Sequence, residues 1–244
     1  MIVAAHQPNF APWLGFFDKM RHADTLVLLD TVPYTKRGLQ NRVRVKGPNG
    51  PQWLTVPVVT KGRYGQATDA VAIDDDTDWR EVHRKTLQMV LGRAPHHEAL
   101  LRVLEPVYAT PGPARLVDFN VALIRALVER LGIATRLVMA SELGCSGQRT
   151  RLLLDLVKAA GGDVYLSGPS GRGYLEPELF GPEGVTLAYH EFRPFEYPQQ
   201  FGEFEGGLSC LDYLANVGFV PWGEGSVPAL HADQAQPSPS TSDS

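Results

Sequence analysis

The sequence predicts an α/β fold: a Rossmann-like three-layer core with an inserted β-hairpin and a helical middle section. Apolar runs of strand length alternate with segments of helical spacing along most of the chain. The stretch from Met1 to Asp30 reads strand, helix, strand, and a crossover of that kind favours parallel pairing. Gly47-Pro48-Asn49-Gly50 is turn chemistry between two further strand candidates, which predicts the hairpin.

Ile2–Ala5 has the character of a buried strand. Pro12 suits the first turn of a helix, and Trp13, Phe16, Phe17 and Met20 recur on one helical face. Thr25–Leu29 is the second strand and ends in Asp30. Leu39–Val45 and Gln52–Val58 form the arms of the hairpin, with the second arm laying an apolar strand beneath the first. Lys61–Thr68 is a polar loop and Ala70–Ile73 a short strand. Helices are predicted over Trp79–Leu91, His96–Tyr108 and Ala114–Leu131, the last stopped by Gly132. Arg136–Ala140, Val164–Leu166 and Val185–Tyr189 read as strands. Gln148–Ala160 reads as a helix, as does Leu211–Asn216 behind a Ser209 cap. Residues 1–223 form one domain on this reading. Residues 224–244, rich in Pro, Ser, Asp and Gln, are expected to be a disordered tail.

Composition narrows the function. Net charge is −4 over 244 residues, so nothing in the overall balance points to nucleic acid. No apolar run is long enough to span a membrane, and Met1-Ile-Val-Ala-Ala has no basic segment before it. The expected compartment is the cytoplasm. Cys145 and Cys210 are too few for a disulfide framework and form no CxxC pair. His96-His97-Glu98 places its histidines on different sides of a helix, and HExxH is absent, so no metal is assigned.

The chemistry-bearing residues cluster early. His6 and Gln7 follow the first strand, where ligands gather outside the carboxyl ends of open α/β sheets. A histidine there can serve as base, phosphate donor or oxyanion stabiliser. Asp30 ends the neighbouring strand and can hold a substrate amine, a ribose or a metal. From Tyr34 to Lys46 the chain carries Lys36, Arg37, Arg42, Arg44 and Lys46 with no acidic residue between them. On a strand Arg42, Arg44 and Lys46 share a face, a pattern suited to a phosphate or carboxylate; the same pattern also serves as a charge-protected edge strand. Trp53 is expected to pack first and to wall a ligand second. His83 shares a helix face with Trp79. Tyr165–Leu175 offers Ser167, Gly168, Ser170 and Tyr174 in a glycine-bearing turn after a strand. It matches neither a Walker motif nor a GxSxG elbow. The imidazole of His6, the cationic hairpin and this turn are expected to face one cavity.

These blocks together resemble the WbqC-like proteins of bacteria. The likeness rests on HQPNFAPWLGFFDK (6–19), ADTLVLLD (23–30), YTKRGLQNRVRVKGPNGPQWLTVPV (34–58), YLSGPSGRGYLEP (165–177), and FEYPQQF with LSCLDYLANVG (195–218). It implies enzymatic tailoring in surface-polysaccharide or natural-product biosynthesis, with acyl or aminoacyl transfer onto an amine. The matching polar positions are His6, Gln7, Asp30, Lys36, Arg37, Asn41, Arg42, Lys46, His83, Ser167, Tyr174, Tyr197 and Gln199. Leu91-Gly92-Arg93 stands where the family carries a tyrosine, and Cys210 where an aliphatic residue is common. At fold level the chain is also similar to nucleotidyltransferases, although His6-Gln7-Pro8 departs from their double-histidine pattern.

Three functions follow as alternatives. In amide-forming group transfer, His6, Asp30 and Lys36 are the catalytic candidates, and the Ser167–Gly171 turn stabilises an oxyanion. The substrate, small or carrier-bound and anionic, is then held by Gln7, Arg37, Asn41, Arg42, Lys46, His83, Ser167, Gly168 and Tyr174. In nucleotidyl transfer the same cations grip ATP phosphates. In a non-catalytic protein the basic strand holds an anionic partner. The sequence specifies no cofactor and no oligomeric state.

Overall fold

The computed structural model describes residues 1–109 and 114–220. The expected tail over 224–244, and with it the boundary at 223, lies outside the described residues.

Five parallel strands form the central sheet: β1 (Ile2–His6), β2 (Thr25–Leu28), β5 (Arg136–Met139), β6 (Val164–Ser167) and β7 (Thr186–Tyr189). Their spatial order is β5-β2-β1-β6-β7. Counted in chain order among themselves, this is 3-2-1-4-5, the doubly wound arrangement. The order reverses between β1 and β6, where Ile2 pairs with Val164 and Ala4 with Leu166.

The strands are near-continuous apolar runs because both faces of the sheet are covered. Val3, Ala5, Val27 and Tyr165 pack with α5 (Arg149–Ala159) on one face. Ala4, Leu26, Leu28, Leu166 and Ala188 pack on the other. There they meet α1 (Leu14–Arg21) and α4 (Leu116–Arg130) through Phe16, Phe17, Met20, Phe119 and Leu123. This gives the three-layer core. On the α1 and α4 side, the same core continues into α2 (Trp79–Leu91), α3 (His97–Ala109), α6 (Cys210–Asn216) and the hairpin β3 (Arg42–Gly47) with β4 (Gly50–Thr55). Asp78 caps α2 by accepting from Glu81 N at 3.2 Å, and Ser209 caps α6.

Three expectations are corrected. Ala70–Ile73 is no strand: a single 3₁₀ turn covers Thr68–Ala70, and Ala72 and Ile73 make only isolated bridges to Arg115 and Val58. The first hairpin arm begins at Arg42 because Gln40 and Asn41 spend their side chains across the chain. Gln40 accepts from Thr35 N and donates to Thr68 Oγ1, while Asn41 donates to Val56 O and accepts from Tyr34 OH. The second arm is not an apolar layer, since only Leu54 of β4 is buried. Trp53 is 48% exposed and carries the Arg42 guanidinium 4.1 Å from its ring centroid.

Candidate functional site

At the carboxyl ends of β1 and β6 lies a cavity of about 660 Å³. This is the topological switch point, where adjacent crossovers leave the sheet in opposite directions and open a crevice. His6, Gln7, Trp13, Lys19, Arg149, Gly168, Ser170, Tyr174, His190 and Phe192 are among its walls.

The turn that presents His6 is held from below. Asn120 on α4 donates to Pro8 O at 2.8 Å and to Gln40 O at 2.7 Å. Ser209 Oγ donates to Ala11 O at 2.8 Å, and Cys210 N to Pro12 O at 3.0 Å. Ala11 is left-handed, with φ 35°, a conformation that these contacts hold against its own preference. Gly15 lets the Trp13 indole fold across the start of α1, because a Cβ there would come within 2.4 Å of the ring. Trp13 then meets Phe192 edge-on at 5.2 Å, closing one wall.

Burial sets the protonation states. His6 is partly exposed at the cavity wall, with its ring 4.9 Å from Phe16 in a T-shaped contact. Desolvation, helped by the nearby Lys19 charge, drives its pKa down to about 3. The imidazole is therefore neutral. Its Nδ1–H donates to Gln7 O at 2.9 Å, which leaves the lone pair on Nε2. Lys19, buried at the cavity floor, donates to Ala5 O at 2.9 Å, and burial lowers its pKa to about 8. A Cβ built on Gly168 would stand 4.0 Å from Lys19 Nζ, so the turn after β6 and this amine are close neighbours. Burial also raises the Tyr174 hydroxyl above its usual range. The Cys210 thiol is pushed up to about 12 and stays protonated.

Of the residues singled out from the sequence, His6, Gln7, Gly168, Ser170 and Tyr174 line this cavity. The expectation that the cationic hairpin faces the same cavity is corrected. Lys46 is buried and donates to Gln199 Oε1 at 3.2 Å and to Glu203 O. Arg44 pairs with Glu205 at 3.5 Å. Arg42 stacks on Trp53 and donates to Arg37 O at 2.6 Å. The strand thus clamps the stretch before α6. Lys36 and Arg37 are exposed in the preceding loop, and Arg37 is left-handed at φ 64°. Asp30 is buried and accepts from Ser141 N and Oγ at 3.0 and 2.6 Å, fastening the turn after β5. Asn41 is taken up by Tyr34 and Val56. His83 sits among Phe10, Trp79, Tyr108 and Phe119, donating to Thr55 O and accepting from Tyr108 OH. Ser167 Oγ donates to Gly168 O under the 3₁₀ turn, where it would lie 2.1 Å from a Cβ on Gly171.

Lys19, Arg149 and His190 line the cavity and were not singled out from the sequence. Lys19 lies off the Trp13–Phe16–Phe17–Met20 face of α1, so helical spacing gave no signal for its burial. Arg149 begins α5 with a left-handed φ of 52°, at the cavity mouth and exposed. His190 follows β7, and only the sheet order brings it beside α1. Its Nε2–H donates to Asp18 Oδ2 at 2.7 Å.

Sheet order and cavity together define a doubly wound α/β protein with a switch-point site. Comparison with known proteins is more specific. The model of the WbqC-like protein family matches residues 7–220, and the chain belongs to that family. It is 35% identical over 217 residues to Rv1507c, an uncharacterized protein of Mycobacterium tuberculosis, a match covering 88% of this chain and 94% of the relative. No solved structure matches it. Among the described residues, no helix is long and apolar enough to cross a membrane.

Proposed function

We propose that this protein is a group-transfer enzyme of surface-polysaccharide or natural-product biosynthesis, forming an amide by acyl or aminoacyl transfer onto an amine. The observation that carries this reading is the convergence of His6, Lys19 and the Gly168 turn on one cavity at the ends of two adjacent strands. Roles differ from those that residue type alone suggests. His6 is too weak a base at a pKa of about 3 to hold a proton, so its Nε2 accepts a hydrogen bond and aims the acceptor amine. Lys19, at about 8, sits near working pH and suits proton transfer. The amine nitrogen attacks the donor carbonyl, and neutral Lys19 takes the amine proton. The resulting ammonium returns it to the departing thiolate or phosphate. Backbone N–H groups of the Gly168–Ser170 turn receive the oxyanion. Arg149 at the mouth engages the anionic part of the donor.

Native mass spectrometry of the protein expressed with its source pathway tests this. A retained acylated or phosphorylated ligand is expected in the wild type, and His6→Ala should retain it while losing turnover. A ligand bound only when Arg42 and Lys46 are intact would move the site to the hairpin and end this reading. The sheet order favours one alternative, nucleotidyl transfer, because mononucleotides bind at such switch points. A rise in melting temperature with magnesium ATP would support it, and no rise would remove it.

A further inference from the structure

Beneath the wall that His190 contributes to the cavity, three side chains from distant parts of the chain meet. Asp18 and His22 lie on α1 and at its C-terminal end, and His190 follows β7. One donor atom from each lies within 4.8 Å of the others. We propose that Asp18, His22 and His190 form a binding site for a divalent transition-metal ion at the floor of the switch-point cavity.

Chemistry, geometry and access each support it. Two imidazoles and one carboxylate are a donor set suited to zinc, cobalt or iron, and one that leaves coordination positions open. Asp18 and His190 are buried, with side chains 5% and 3% exposed, so both are already held in place. The rings of His22 and His190 are 5.5 Å apart between centroids and tilted by 42°. His22 Nδ1 lies 3.9 Å from Asp18 Oδ2 and donates to Asp18 O at 2.7 Å, so ligation through this nitrogen would replace that backbone bond. Its side chain is 27% exposed, which gives an ion a way in. Tetrahedral zinc with bonds of about 2.0–2.1 Å holds its donors roughly 3.4 Å apart. Small side-chain shifts close the cluster to that size.

The site is also coupled to the cavity. His190 Nε2–H donates to Asp18 Oδ2, and the same residue lines the cavity, so an ion held through this nitrogen would replace that bond beside the cavity. The inference goes beyond the transfer reading and does not depend on it, since metal binding is measured without turnover.

The test is titration calorimetry of the full chain, stripped with chelator, against zinc and cobalt salts. One equivalent is expected to bind at micromolar or tighter affinity, with a cobalt ligand-field band in the visible. Removing a ligand should weaken binding by at least the about 10–100-fold seen for supporting residues. His22→Ala is the informative variant because its partial exposure lets it fold; His190→Asn and Asp18→Asn extend the series. His96→Ala, at an exposed histidine elsewhere, should bind as the wild type does. The proposal is overturned if no saturable binding is seen, or if binding persists unchanged in His22→Ala and His190→Asn. Asp18 and His190 would then be a hydrogen-bonded pair and nothing more.

Discussion

Lys19 and Lys46 are almost equally buried, at 5% and 4% exposed, and they sit in opposite settings. Lys46 is surrounded by acceptors, the Gln199 amide oxygen and the Glu203 carbonyl, in the strap that leads to α6. Among the described residues, Lys19 has a single carbonyl, that of Ala5, and open cavity beyond it. An ammonium held by two acceptors fixes a chain segment. One held by a single carbonyl, with burial working against its charge, is left for chemistry. The number of acceptors around a buried cation therefore says more about its role than the density of cations along the sequence.

The largest effects should separate these lysines. Lys46→Met removes the two hydrogen bonds of a buried ammonium to Gln199 Oε1 and Glu203 O and is expected to cost about 2 kcal/mol of stability in urea unfolding, with ligand affinity at the cavity unchanged. Lys19→Met should do the reverse: stability held or slightly raised, and transfer reduced by about 10²-fold or more. If Lys46→Met instead abolished binding at full stability, Lys46 rather than Lys19 would be the functional lysine. The pH dependence sharpens it. Lys19 is a cation below about 8, so an anionic ligand held in the cavity should bind more weakly as pH rises through that value. Isothermal titration across pH 6–9 should show that decline in the wild type and none in Lys19→Met.

A smaller effect belongs to the region around Lys46. Asp212 on α6 is buried, and desolvation raises its carboxyl from 3.8 to about 6, against some help from Lys46. The folded chain therefore holds that proton more tightly than the unfolded chain does. Stability should fall as pH climbs from about 4 to about 6 and then level off. Asp212→Asn is expected to remove that slope and to gain on the order of 2 kcal/mol above pH 6 by thermal melts. Smallest is Arg149→Gly at the cavity mouth. Relief of the left-handed backbone should stabilise the fold by about 1 kcal/mol, while calorimetry should show anion affinity falling about tenfold.

The strands and helices of the core were legible because their apolar spacing is enforced by burial on one or both faces. The hairpin was legible from its turn. His6, Gln7, Gly168 and Tyr174 were reachable because ligands gather at strand ends, and they lie at the end of β1 or in the turn that follows β6. Lys46 looked like a ligand-binding cation because its acceptors lie far away in the chain, at Gln199 and Glu203, while Arg42 is taken up locally by Arg37 O and Trp53. His190 was missed for the converse reason: its partner Asp18 is far away in sequence, and only the order of the strands makes them neighbours. Charge patterns along a chain carry no information about contacts of that range.

The place of β1 in the sheet has a consequence for the chain as it is being made. Of the five sheet strands it is made first, yet one of its flanks stays bare until β6, beginning at Val164, has emerged. For most of synthesis, a hydrophobic strand with unpaired amides is open to any extended segment that reaches it. Its rightful neighbour arrives late, and the tether that Ser209 supplies to the His6 turn arrives later still. The newborn polypeptide thus has no finished cleft to fill, and β1 keeps one open flank until β6 has been made.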